Sequence, residues 1–272
     1  GARGAEEQAA PLQGIKVVEF THMVMGPTAG VILGDLGADV IKVEPLKGDN
    51  TRRLKGSGAG YFPMYNRNKR SIALDLKHTK GRDVARQLIQ SADIVLENFR
   101  TGTMAKLGLD YESLKADHPG LIYCSLKGFL SGPYENRVAL DEVTQMMGGL
   151  AYMTGLPDRP LRAGSSVIDI TGGMFGVIAI LSALHRRRET GEGSHVTSAL
   201  FETTAFLVGQ HMAQQAVSGD APSPMSVRQS AWAVYDIFEL NSGERLFVGI
   251  VSDKLWQLFC QEFGLKDWAA DD

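Results

Sequence analysis

The segment VIDITGGMFGVIAILSALHRRRETGEG, from Val167 to Gly193, places an acidic residue, Asp169, just before two glycines and a long apolar run. A carboxylate there can cap a helix, bind a metal or act as a nucleophile. As a cap, its oxygen accepts a hydrogen bond from a first-turn N–H. As a nucleophile, the same location serves differently. Gly172 and Gly173 lack a Cβ, so another chain or a ligand can approach the backbone closely. Helix N–H groups are expected to keep the carboxylate ionised and to stabilise an adjacent oxyanion. An ionised, partly desolvated carboxylate attacks an activated acyl group to give an anhydride. The residues alone leave these readings open.

Other chemistry is thinner. His22 follows the first strand-like run, and a lone histidine is more often structural than catalytic. No GxSxG elbow or Ser/His/Asp ordering is present. The loop HMVMGPTAGVILGDLGAD lacks GxGxxG, which argues against a dinucleotide site. The two cysteines, Cys124 and Cys260, sit in unrelated apolar contexts without metal-ligand spacing and are expected to be buried thiols. No metal site is expected. Lys42, Lys47, Arg52, Arg100, Lys106 and Arg137 recur at strand ends and loops. Such cations suit a phosphorylated small molecule if they collect at one sheet edge.

A net charge of -3 gives no general affinity for nucleic acid or anionic membranes. The longest apolar run, Met174 to Leu184, falls short of the ~20 residues that span a bilayer. The start, residues 1–13, has no apolar signal core and reads as a flexible leader. A cytoplasmic or organelle-matrix location is expected.

The elements that must position Asp169 follow a repeated pattern. GIKVVEF (Gly14 to Phe20), DVIKVEP (Asp39 to Pro45), KRSIALDLK (Lys69 to Lys77), DIVLENF (Asp93 to Phe99) and LIYCSLKGF (Leu121 to Phe129) read as strands. Helices are expected after Pro27, over Gly81 to Ala92, over YESLKADHP, along the apolar run that ends at Gly191, and from Leu200 to about Gln215. The order predicts an α/β fold with a doubly wound parallel sheet, and function in the loops after Phe20, Glu44, Phe99 and Phe129. Residues 14–217 read as one large domain and 218–230 as a Ser/Pro-rich linker. Residues 231–272 read as the start of a small α+β domain, cut short after a hairpin around Asn241, Ser242 and Gly243 and the helix KLWQLFCQEFG.

At these residues the chain resembles the class III CoA-transferases, the formyl-CoA transferase or CaiB/BaiF family. The resemblance is carried, in order and at the family's intervals, by GIKVVEFTHMVMGP, LGADVIKVEPLKGDNTR, NRNKRSIALDLK, ADIVLENFRTGTMAKLGLDYESL, VIDITGG and RRRETGEG. It implies a Rossmann-like large domain, a smaller domain and two interlocked subunits, a homodimer or a heterodimer. It also implies transfer of CoA from an acyl-CoA donor, with succinyl-CoA as a candidate, to a small carboxylic acid. CoA would be substrate rather than a tightly bound cofactor, and no metal would be required.

By motif position, the resemblance assigns Asp169 as nucleophile. It places Val24 and Met25 at the thiol end of CoA, Leu74, Asp75 and Lys77 along the nucleotide, and His22 among the CoA-binding residues. Asn98, Phe99 and Arg100 fall at the pantetheine and nearby phosphates, with Lys106 and Arg137 close by. Formyl-CoA transferases carry glutamine where this chain has Val24 and arginine where it has Pro45; Lys42 or Lys47 could supply the latter contact. The racemases that share the fold place a histidine before the aspartate of ALDEVTQ, whereas Leu140 stands here, and leucine carries no proton. Transfer therefore ranks above epimerisation and above a non-catalytic CoA-binding subunit.

Overall fold

In the computed structural model, residues 9–265 and 267–269 are described. In chain order the elements are β1 (Lys16–Phe20), α1 (Met25–Asp35), β2 (Asp39–Glu44), α2 (Tyr61–Tyr65), β3 (Lys69–Ala73), α3 (Thr79–Gln90), β4 (Ile94–Glu97), α4 (Thr103–Lys106), α5 (Tyr111–Leu114) and β5 (Ile122–Lys127). There follow α6 (Asp141–Met147), α7 (Leu150–Thr154), α8 (Val167–Thr190), β6 (Ser194–Ala199), α9 (Leu200–Leu207), α10 (Gly209–Ser218), β7 (Tyr235–Glu239), β8 (Arg245–Gly249) and α11 (Asp253–Glu262).

Strands β3-β2-β1-β4-β5-β6 form one parallel sheet. This is the doubly wound order, and it reverses between β1 and β4. The central strands β1, β4 and β5 are short, largely apolar runs because helices cover both faces, so alternation gives way there to continuous burial. All four residues of β4 are buried. One apolar core lies between the sheet, α1 and α8; the other lies on the opposite face under α3, α4 and α5. Cys124 belongs to the first core, and burial pushes its thiol up to about 12.

Helix α8 is the central support. A Cβ on Gly173 would stand 2.7 Å from the Met25 carbonyl oxygen, and one on Gly172 would stand 2.8 Å from Met25 Cε. The missing side chains therefore admit α1 of the same chain, where the sequence predicts approach by another chain or a ligand. Gly191 ends α8 at φ 74°, with its N–H on the Arg187 carbonyl, as a helix C-terminus requires.

Several expectations change. Residues 1–8 of the expected leader lie outside the described residues, but Leu12 packs in the core and its N–H bonds the Leu36 carbonyl at 2.9 Å. The run from Leu200 is two helices broken at Val208, where the backbone leaves helical geometry. The edge strand β6 and the short helices α6 and α7 escape the sequence pattern because each is brief and half-exposed. Helix α8 is, contrary to expectation, long and apolar enough by composition to cross a membrane, with a mean hydropathy of 2.0. Here it packs against α1, β5 and β6. The hairpin β7–β8 turns through Gly243 at φ 83°, followed by α11 capped by Ser252.

Candidate active site

The loops after β1 and β4 meet where the strand order reverses. His22 N–H donates to Asn98 Oδ1 at 3.0 Å, and Asn98 Nδ2 donates to the His22 carbonyl at 2.8 Å. This reciprocal pair zips the two strand ends together. Met23 adopts φ 62°, an unfavourable conformation for a long side chain, and its N–H is held by Thr51 Oγ1 at 3.0 Å. Gly26 admits the crossing: a Cβ there would stand 2.6 Å from Thr21 Cγ2 and 2.9 Å from Asn98 Cγ.

Under this loop lies a buried charge network. Lys42 Nζ donates to the Thr21 carbonyl at 2.6 Å and pairs with Asp49 at 3.2 Å. Lys69 Nζ donates to Glu19 at 2.8 Å and to the Pro27 carbonyl at 3.0 Å. Burial pulls the Lys69 ammonium down to about 8, although Glu19 opposes the shift. The side chain of Lys42 is only 1% exposed, so it supplies no nucleotide contact; the expectation fails because Glu19 and Asp49 claim its charge.

Asp169 lies in the first turn of α8. It is not the cap, since Ser166 occupies that position, and the helix starts at Val167. Residues four apart share a helix face, so Asp169 lies on the same side as Gly173, the close contact with α1. The α1 contact thus sets the carboxylate beside Val24 and Met25. All three line a cleft of about 270 Å³ with His22, Asn98, Tyr61, Lys127, Leu140, Asp141, Glu142, Arg162 and Ser166. Leu126, Ala139 and Leu200 add apolar wall.

The electrostatics differ from expectation. The first-turn N–H groups do not serve Asp169. Those of Ile168 and Asp169 itself donate to Asp141 Oδ2, at 2.8 and 2.9 Å. Desolvation and the neighbouring Asp141 charge raise the Asp169 carboxyl to about 7, with Arg162 opposing. The His22 ring is pushed below its usual range, chiefly by withdrawal from water.

Of the residues named from sequence, His22, Val24, Met25, Asn98 and Asp169 meet in the cleft. Phe99 borders it: its ring lies 5.9 Å from that of His22, and its carbonyl accepts from Lys127 Nζ at 2.7 Å. Leu74, Asp75, Lys77, Arg100, Lys106 and Arg137 do not line it. Leu74, Asp75 and Lys77 follow β3, where Asp75 Oδ1 accepts the Lys77 N–H at 3.0 Å. Arg100 and Lys106 follow β4 and are exposed. Arg137 stacks on Tyr134 at 4.0 Å, and Thr101 Oγ1 bonds the Glu135 carbonyl, tying that loop to the one after β4. The sequence reading missed Tyr61, Glu142, Arg162 and Ser166, which sit on short or irregular segments, and Lys127, at the end of the strand β5, whose side chain carries no local signal of a site. Asp141 was visible only as the neighbour of Leu140.

Residues 12–272 match the family model for CoA-transferase family III. The chain belongs to that family. Among its relatives, the succinate–glutarate CoA-transferase of Agrobacterium fabrum is 37% identical over 96% of this chain and 68% of its own length. The acetyl-CoA:oxalate CoA-transferase of Acetobacter aceti is 35% identical over 96% and 69%. A crystal structure of a CaiB/BaiF family protein from Brucella suis, 40% identical, superposes with a TM-score of 0.84 over 97% of this chain and 72% of that one. This class III CoA-transferase thus belongs to a family that uses CoA thioesters as substrates, and its cleft lies where doubly wound sheets bind ligands.

Proposed function

We propose that the protein moves CoA from an acyl-CoA donor to a small carboxylic acid through covalent intermediates on Asp169. An Asp169 oxygen attacks the thioester carbonyl carbon. The C–S bond breaks, CoA leaves as thiolate with the bonding electrons, and an aspartyl–acyl anhydride remains. The thiolate then attacks the aspartyl carbonyl, releasing the donor acid as carboxylate and leaving an aspartyl-CoA thioester. The acceptor carboxylate attacks that thioester, and the same steps run in reverse. Each step exchanges one activated acyl bond for another, so no ATP is consumed.

The observation that carries this reading is Asp169 on the wall of a cleft at the sheet's reversal point. Val24 has no side chain able to cap α1, so the N–H groups of Met25 and Gly26 would serve as donors for a developing oxyanion, Pro27 having none. Asn98, Met25 and His22 would flank the thiol end. The exposed cations Lys77, Arg100, Lys106 and Arg137 would meet the phosphates. Succinyl-CoA is our candidate donor, because relatives are named for succinate–glutarate, succinyl-CoA:mesaconate and succinyl-CoA–D-citramalate transfer. An interlocked dimer would cover the exposed apolar face of α8 formed by Met174, Ile178 and Leu181. A cytoplasmic or organelle-matrix setting agrees with the two free thiols.

The test is to incubate the protein with succinyl-CoA, trap with hydroxylamine or borohydride, and map modification by mass spectrometry. A tag on the Asp169 peptide is expected. Its absence together with α-proton exchange in deuterated water would favour epimerisation instead, against the leucine at position 140.

A further inference from the structure

We infer that Asp141 is a positioning residue for Asp169: from α6 it clamps the first turn of α8 and sets a fixed negative charge beside the reacting carboxylate, favouring its conversion to a neutral acyl form. The inference rests on Asp169 being the nucleophile.

The clamp is fully specified by hydrogen bonds. Asp141 is buried, at 6% exposure. Its Oδ2 accepts the N–H groups of Ile168 and Asp169, at 2.8 and 2.9 Å. Its Oδ1 accepts from Gln145 Nε2 at 2.6 Å. Gln145, also buried, accepts the Ala163 N–H on Oε1 at 2.9 Å. Two segments, α6 and the loop before α8, are thus locked to the turn that carries Asp169. Helix starts are ordinarily capped by the preceding residue. Here the Ser166 side chain makes no cap bond, and a carboxylate distant in sequence supplies it.

A neutral acceptor would satisfy two N–H groups, so the charge itself calls for explanation. The groups facing Asp169 are Asp141 and Glu142 on α6, Arg162 on the preceding loop, Lys127 at the end of β5, His22 after β1, and Tyr61 and Tyr65 on α2. Lys127 is taken by Glu97 at 2.7 Å. Arg162 stands 3.7 Å from Asp141 and 3.5 Å from Glu142, beyond hydrogen-bonding distance of either. The cations are therefore committed elsewhere or shared between acids, and like charge predominates around Asp169. Like charge disfavours an ionised carboxylate. Acylation takes the negative charge off Asp169 and puts it on the departing CoA thiolate, so the same field that hinders ionisation favours the anhydride as the thiolate moves away from Asp141.

The test reads the ionisation of Asp169 without catalysis. Carbodiimide with an amine labels protonated carboxyls, and peptide mass spectrometry follows labelling at Asp169 against pH. The native midpoint is expected near 7. In Asp141→Asn it should fall by about one unit or more, and the acid limb of turnover should move the same way. The adduct trapped from succinyl-CoA should fall severalfold. Arg162→Gln, at a partly exposed position, provides the opposite arm and should raise the midpoint. A midpoint unchanged in Asp141→Asn overturns the inference. If that variant does not fold, a midpoint unchanged in Arg162→Gln does so. An adduct trapped on native Asp169 with unmoved midpoints defeats this inference alone. Midpoints that move while native protein never traps an adduct defeat the proposed function and leave the electrostatic clamp standing.

Discussion

Two groups of buried or half-buried carboxylates lie close to the same loop and are treated in opposite ways. Beneath it, Glu19, Glu44 and Asp49 are matched by Lys42, Lys69 and Arg52. Burial alone would raise the Glu44 carboxyl, but hydrogen bonds from Arg52, Ser71 and the Asp49 N–H hold it down at about 2. In the cleft, Asp169 faces Asp141 and makes no ion pair of its own among the described residues, and it rises to about 7. The first group shows that this chain can build tight ion pairs. The second lacks them where a reaction is proposed, which is where perturbed acids collect.

Replacing the unmatched carboxylate should have the largest consequence. Asp169→Asn should lower turnover on the order of 10⁴-fold or more. It should also stabilise the fold. The native carboxyl holds its proton more tightly than the unfolded one, so stability falls as pH rises from about 4 to about 7. At neutral pH the neutral amide should gain about 1–3 kcal/mol after allowance for solvent screening, read by denaturant unfolding. Full activity in this variant would erase the contrast.

Lys42→Met tests the matched group. It leaves Glu19 and Asp49 short of a partner and frees the Thr21 carbonyl, and should cost about 3–5 kcal/mol. A neutral result would mean that the network contributes nothing to the loop. Gly30→Ala probes the same place sterically. A Cβ there would fall 1.8 Å from Glu19 Oε2, so a loss of about 1–3 kcal/mol is expected.

The smallest effect sharpens the contrast through pH. The Glu44 contribution is fully present above its ordinary value of 4.5 and is lost as pH falls through about 2. Arg52→Gln should weaken that acid dependence. The alkaline limb of unfolding should be unmoved.

Much of the scaffold was legible. The apolar runs at β1, β2, β4 and β5, separated by helical stretches, sufficed for a parallel sheet, because strands covered on both faces must be continuously apolar. The hairpin was legible from Asn241, Ser242 and Gly243, whose backbone freedom makes the turn. The break at Val208 was not, since apolar spacing continues through it. In the site, Asp169 stood out because two glycines, Gly172 and Gly173, follow it within one helical turn. The roles of Asp141, Gln145 and Arg162 were hidden, because each depends on a partner distant in sequence.

The sequence by itself determined strands β1 to β5 of the parallel sheet, the family, and one carboxylate ahead of a small-residue helix. Local spacing carries that information, since burial and backbone freedom act residue by residue. The tertiary structure decided which acid receives the helix N–H groups, which lysine is buried, and which charge goes unmatched. Those outcomes depend on distances between segments, and electrostatic energy is set by distance and solvent access rather than by residue type.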